Sequence, residues 1–246
     1  MAKKSDTSIV EATSSALTAA SDLNEWGQND LGARDFVIPK ILLMQNTSEL
    51  VGEGKAKLGD FIDSITGDVL GAIDRPIQFI PFHMDKMWII SSRPLGDSKF
   101  EFDRYEPVSP ANMDRPLQEV QGNREVKYEY TLQFYVLRPE DPTLPYVLSF
   151  KSTSARAGKV LSTQMFVRNR AAGLVPPAHV MELSGKREKN DKGIFAVMEV
   201  KAGPRTSPEL VAECLNWFKV IKAGKATVAP EPVKDDVVYA DDNVKF

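Results

Sequence analysis

Asp191, Glu199 and Lys201 are the residues whose types and spacing come nearest to catalytic chemistry. Two carboxylates on a divalent metal, with a lysine beside the attacking water, are the working parts of a metal-dependent nuclease of the Asp…Glu-x-Lys type. Glu199 and Lys201, two apart, share one face of a strand. Asp191, however, falls in Asn190-Asp191-Lys192-Gly193, which is turn chemistry. There it is solvated and too far along the strand to share a metal, so an ordinary polar ribbon is the stronger reading. The two histidines, His83 and His179, are far apart and form no metal-ligand pair. His83 lies near Asp85, but no Ser or Cys motif completes a triad. Gly52-Glu53-Gly54-Lys55-Ala56 lacks the hydroxyl residue and leading glycine of a phosphate loop, and no Gly-x-Gly-x-x-Gly fingerprint occurs. The expectation is a protein without catalytic residues, metal or cofactor, whose work is binding.

The charge pattern says what it would bind. Residues 1–141 hold 23 acidic and 15 basic residues, whereas residues 142–201 hold 10 basic and 4 acidic ones. No acid occurs from Pro142 to Met181. Lys151, Arg156, Lys159, Arg168, Arg170, Lys186, Arg187 and Lys189 are the cations that would follow a phosphate backbone. Bases would stack on aromatic rings off the core face, with Trp88 and Tyr135 the best candidates and Phe100, Phe102 and Tyr105 in reserve. The remainder, 227–246, turns acidic again: Asp235, Asp236, Asp241 and Asp242 precede Phe246. An apolar ring behind a row of carboxylates is a peptide ligand for a pocket with a basic rim.

At 246 residues, 42% hydrophobic and 26% charged, the chain can bury one good core. The net charge of −3 argues against a uniformly basic coat. The single cysteine, Cys214, excludes an intrachain disulfide, and it sits on the apolar stripe Leu210, Cys214, Phe218, Ile221 of a helix. No secretory signal and no run of ~18 apolar residues is present, so the expected compartment is the cytoplasm.

The elements that must position the cations follow from period and punctuation. Residues 1–30 are Ser/Thr/Ala-rich and read as a mobile arm. Ile38 to Gln45 is a short buried run, and Phe61–Ser64 with Asp68–Leu70 form a hairpin around Ile65-Thr66-Gly67. Arg75–Phe82 and Met87–Ser91 read as two strands joined at His83–Lys86. Residues 93–125, with four prolines, read as a long polar loop. Val126 to Val136 alternates apolar and polar over eleven residues, a half-buried antiparallel strand answered by Tyr146–Lys151. A helix follows over about Ser154–Ala171, then a β-ribbon with a basic tip at 186–193. A last helix starts at Thr206 or Ser207, with Glu209 completing a capping box on Thr206, and stops at Gly224. Strands precede the first strong helix, which argues for an α+β domain on a mainly antiparallel barrel-like sheet, elaborated with two helices and the ribbon.

The tail, Asp235-Asp236 through Asp241-Asp242 to Phe246, resembles those of the single-stranded DNA-binding proteins of bacteriophages. These pair an oligonucleotide-binding (OB) β-barrel with a flexible acidic tail ending in an aromatic residue. The chain is also similar to phage replication-module proteins in Ile38-Pro39-Lys40-Ile41-Leu42-Leu43-Met44-Gln45 and Lys189-Asn190-Asp191-Lys192-Gly193-Ile194-Phe195. The tail match covers about a tenth of the chain, and Lys245 before the final Phe departs from the pattern. The resemblance implies an OB-like domain over 31–224, and non-sequence-specific binding of single-stranded DNA in phage-type replication or recombination. The tail, 225–246, would cover the groove when DNA is absent and recruit replication or recombination proteins when DNA displaces it. A homodimer is compatible with this. The alternatives are the nuclease built on Asp191, Glu199 and Lys201, and a phage protein–protein module that binds a host enzyme.

Overall fold

The computed structural model describes residues 37–191, 193–224 and 227–229. In chain order the strands are β1 (Val37–Ile38), β2 (Lys40–Leu43), β3 (Phe61–Asp63), β4 (Val69–Gly71), β5 (Ile77–Pro94), β6 (Glu101–Pro107), β7 (Gln118–Gln121), β8 (Arg124–Arg138), β9 (Asp141–Lys151), β10 (His179–Asn190), β11 (Gly193–Arg205) and β12 (Thr227–Val228). The helices are α1 (Glu49–Gly52), α2 (Ala155–Thr163), α3 (Asn169–Ala171) and α4 (Pro208–Lys222); a π-helical turn, Gln164–Arg168, joins α2 to α3.

Two long strands make the spine. β5 and β8 pair antiparallel from Ile80↔Leu137 to Pro94↔Arg124. The first part of β5 continues into β10 and the last part of β8 into β9, giving the order β11-β10-β5-β8-β9-β2-β3-β4. The other ends of β5 and β8 extend past this body as an arm edged by β6 and β7. Every pairing in the large sheet is antiparallel except β2 with β9.

The sheet curls into a half-barrel. Leu70 of β4 and Met198 and Val200 of β11, from opposite ends of the strand order, pack against one core of Phe61, Phe79, Phe134, Phe150 and Leu183. Near these ends, β10 and the connection after β4 come so close that a Cβ on Gly185 would lie 2.8 Å from Ile73 Cγ1. Among the described residues the ends do not join by strand pairing. Instead, side chains cap the outer edge of β11: Gln45 Nε2 donates to the Ala196 carbonyl (2.9 Å) and Gln45 Oε1 accepts from its N–H (3.0 Å). Asn46 Nδ2 donates to the Ile194 carbonyl (2.8 Å), and Ser154 Oγ accepts from the Met198 N–H (3.1 Å). Capping in this way leaves no template for a second chain along that stretch.

Each face of the sheet has its own helix. Ala157, Leu161 and Met165 of α2 and the following turn enter the core inside the curl. On the other face, Leu210, Cys214, Trp217, Phe218 and Ile221 of α4 cover Ile38, Ile80, Phe82, Tyr135, Leu137 and Val147. The expected α4 stripe is therefore present. Its cap is Ser207, whose side chain accepts from the Leu210 N–H (3.4 Å), not a box on Thr206. The Thr206 N–H is held instead by the Ala178 carbonyl (3.1 Å). Gly224 ends the helix at φ 68°, a left-handed position that favours glycine.

The Phe61–Leu70 hairpin, the β8–β9 pair and the β10–β11 ribbon lie where the sequence places them. Two further expectations fail. β5 runs unbroken through His83–Lys86, with only a bulge near Pro81 and His83, because His83 and Asp85 face Tyr135 and Gln133 across the ladder. Residues 93–125 are not one loop, since they contain β6 and β7.

Candidate nucleic-acid interface

α2 starts at the 3-10 turn Ser152–Ser154, where Ser154 Oγ ties the chain to β11. Its buried side is narrow: Ala157, Gly158, Leu161 and then Met165. Gly158 sits so near β9 that a Cβ there would meet Phe150 Cβ at 2.6 Å. Everything else turns outward, so Arg156, Lys159, Arg168 and Arg170 are all exposed.

Strand register sorts the ribbon cations. Leu183↔Val200 and Gly185↔Met198 face the core inside the curl, so Arg187↔Ala196 and Lys189↔Ile194 continue on the α2 side. Lys186, one residue out of step, lies on the opposite face and pairs with Glu188 at 3.3 Å. Lys151 also belongs to the α4 side, opposite Thr131, and pairs with Glu129 at 3.2 Å. Six of the eight predicted phosphate contacts therefore lie exposed on the α2 side, and Lys151 and Lys186 do not join them.

Several cations elsewhere in the fold are paired. Arg93 bonds Glu125 (2.7 Å), Arg115 bonds Glu106 (3.0 Å) and Arg138 bonds Glu140. The Arg115 and Asn112 hydrogen bonds hold the Glu106 carboxyl below the usual carboxylate range. Among the described residues, none of Arg156, Arg168, Arg170, Arg187 and Lys189 is in an ion pair. The acid-free sequence around α2 is the reason for Arg156, Arg168 and Arg170: no carboxylate lies within a helical turn.

The two chosen rings are not platforms. Trp88 is 4% exposed and meets Tyr130 edge-on at 5.7 Å in the core of the arm. Tyr135 is 7% exposed, stacked on His83 at 5.4 Å under α4. Burial, with Asp85 beside it, holds the Tyr135 hydroxyl well above the usual phenol range. Neither ring has a face left for a base. Phe100, Phe102 and Tyr105 are half-buried: Arg93 covers Phe100 (4.3 Å) and Lys40 covers Tyr105 (4.4 Å), while Phe102 leans on Tyr105 (4.9 Å). The ring missed from the sequence is Phe166, 38% exposed on the turn after α2, beside Val167 at 60%. The signal was there: in Met165-Phe166-Val167 only Met165 fits the buried stripe.

The remaining chemical candidates fall apart. Asp191 is exposed at the ribbon turn, and Glu199 lies six residues past Gly193, ~20 Å along the strand. Glu199 stands opposite Ser184 and Lys201 opposite Glu182. Among the described residues no group of three His, Cys, Asp or Glu is placed to hold a metal. His83 Nε2 lies 3.1 Å from Asp85 Oδ1, and this close approach lowers the Asp85 carboxyl pKa; the pair supports the α4 side, with Phe218 edge-on to the imidazole at 5.4 Å. Cys214 is fully buried, which pushes its thiol up to about 12. Among the described residues no helix is long and apolar enough to cross a membrane.

The proposed partner-binding residues Asp235, Asp236, Asp241, Asp242 and Phe246 lie outside the described residues, as does the 1–30 arm. The first part of the expected tail is structured: β12 pairs parallel with β1, and the Ala229 N–H donates to the Ile38 carbonyl (3.0 Å). A family model, that of the Pam3 phage gp34-like protein, matches residues 5–227. No curated protein and no solved structure matches the chain.

Proposed function

The chain belongs to the Pam3 phage gp34-like protein family, and from that premise we propose that it binds single-stranded DNA without sequence preference during phage replication or recombination. One observation carries the reading: Arg156, Arg168, Arg170, Arg187 and Lys189, none of them in an ion pair among the described residues, stand exposed together on the α2 side of the sheet. An unpaired surface cation keeps its charge available to a phosphate, and the counterions released on contact drive association. In this reading the curled sheet serves as an OB barrel would, as a rigid frame. The protein acts in the host cytoplasm, and the acidic tail recruits other replication or recombination proteins. The test is fluorescence anisotropy of labelled oligo-dT at two salt concentrations, without metal, against a duplex competitor. Salt-sensitive binding that duplex fails to displace supports the reading. Absence of binding at low salt overturns it and moves the search to a protein partner.

A further inference from the structure

We propose that Phe166 is the ring on which a DNA base stacks, held outward by the wide turn Gln164–Arg168, with Arg170 taking the adjacent phosphate. This rests on the single-strand reading above and supplies the contact to bases that Trp88 and Tyr135 cannot make. Apart from Gly158, the buried positions along this helical run are 157, 161, 165 and 169, one every four residues. In a regular α-helix each step of four overshoots a turn by ~40°, so the fourth position would rotate off the core by ~120°. A π turn absorbs the excess with an extra residue, and such turns recur at functional sites.

Asn169 is what holds the turn. It is 1% exposed. Its Oδ1 accepts from Gln164 Nε2 (3.0 Å) and faces His179 Nδ1 (3.1 Å), while its Nδ2 donates to the Pro176 carbonyl (3.0 Å). A buried amide with its bonds made fixes one conformation and resists relaxation. With Met165 and Asn169 both inward, Phe166 and Val167 are forced out. Phe166 is 38% exposed, and among the described residues no ring or cation contacts its face. Arg170, four residues on, projects from the neighbouring turn of the same surface. An exposed ring beside an unpaired guanidinium group is the combination that single-stranded nucleic acid uses.

The test uses the full chain with labelled oligo-dT and an abasic oligonucleotide of equal length. Phe166→Ala should weaken oligo-dT binding roughly fivefold to 150-fold, the span of one stacked base. It should leave the salt slope unchanged and leave abasic binding at the wild-type level. Phe166→Trp should restore oligo-dT affinity, with its fluorescence quenched on binding. Phe166→Ala binding oligo-dT as tightly as wild type, or losing equally on the abasic strand, overturns the stacking role while the DNA reading stands. If the wild-type chain binds neither oligonucleotide, both fall. The exposed position leaves the core intact, and an unchanged melting midpoint of Phe166→Ala verifies that.

Discussion

Salt dependence is the sharpest consequence of the sorted cations. For single strands, log K falls with log[salt] at a slope of about −0.7 per phosphate neutralised. If Arg156, Arg168, Arg170, Arg187 and Lys189 each meet one phosphate, the slope is about −3.5 and affinity falls ~100-fold between 50 and 200 mM salt. Replacing Arg156, Arg168 and Arg170 together by Ala leaves two such contacts, a slope of about −1.4 and a loss of only ~7-fold over the same range. Lys186→Ala is the internal control. That lysine sits in the same basic ribbon but faces the α4 side and is paired with Glu188, so its slope should match wild type. Anisotropy titrations of oligo-dT at four or five salt concentrations measure all three proteins. A wild-type slope in the triple variant, or a Lys186→Ala slope as reduced as that of the triple variant, would refute the assignment of the phosphate contacts to the α2 side. Net charge cannot substitute for this test, since every variant also changes it; position is what the comparison reads.

Two further outcomes probe the support beneath the interface. Gly158→Ala gains ~1 kcal/mol of helix propensity but presses a methyl to 2.6 Å from Phe150 Cβ, and overpacking of ~1–3 kcal/mol should win. A urea midpoint moved upward at unchanged m-value would mean that α2 has room to shift on the sheet. His179 carries a pH signature. Burial first, then the charge of Arg205, lowers its pKa below the ordinary value. Below ~6.5 the unfolded imidazole takes a proton that the folded one refuses, so stability should drop as pH falls from there toward the depressed folded value and level off beneath it. Urea midpoints between pH 7.5 and 5 for wild type and His179→Gln test this; a variant with the same pH slope would assign it to other groups.

Much of the fold was legible because its signals are local. β8 alternates strictly, and Val126, Tyr128, Leu132, Phe134 and Val136 do share a face. The α4 stripe, the β3–β4 hairpin and the ribbon likewise follow from period and turn residues. β5 was split in two since His83-Met84-Asp85-Lys86 has the composition of a connection; its partner ladder on β8 overrides that preference. β6 and β7 were hidden for a related reason. They are edge strands of a projecting arm, where Glu101, Asp103, Arg104 and Glu119 guard the open edge and blur the alternation.

The candidate site divides the same way. The sequence by itself determined that the basic residues cluster and that no acid interrupts them from Pro142 to Met181, because charge and its order along the chain need no folding to exist. It also placed Arg156, Lys159 and Arg170 off the helical stripe, which periodicity alone decides. Only the tertiary structure decided which cations stand together. Lys186 and Lys151 were lost to the far face through ladder register, a property of two strands and not of one. Tyr135 looked solvent-facing by alternation until α4, more than 70 residues further along the chain, covered that second face. Phe166 came forward because a buried Asn169, satisfied by Gln164, Pro176 and His179, widens one turn of the helix. Composition sets the charge that is available, but burial and register are pairwise properties of the folded chain, and they determine where that charge and a free ring can meet the same ligand.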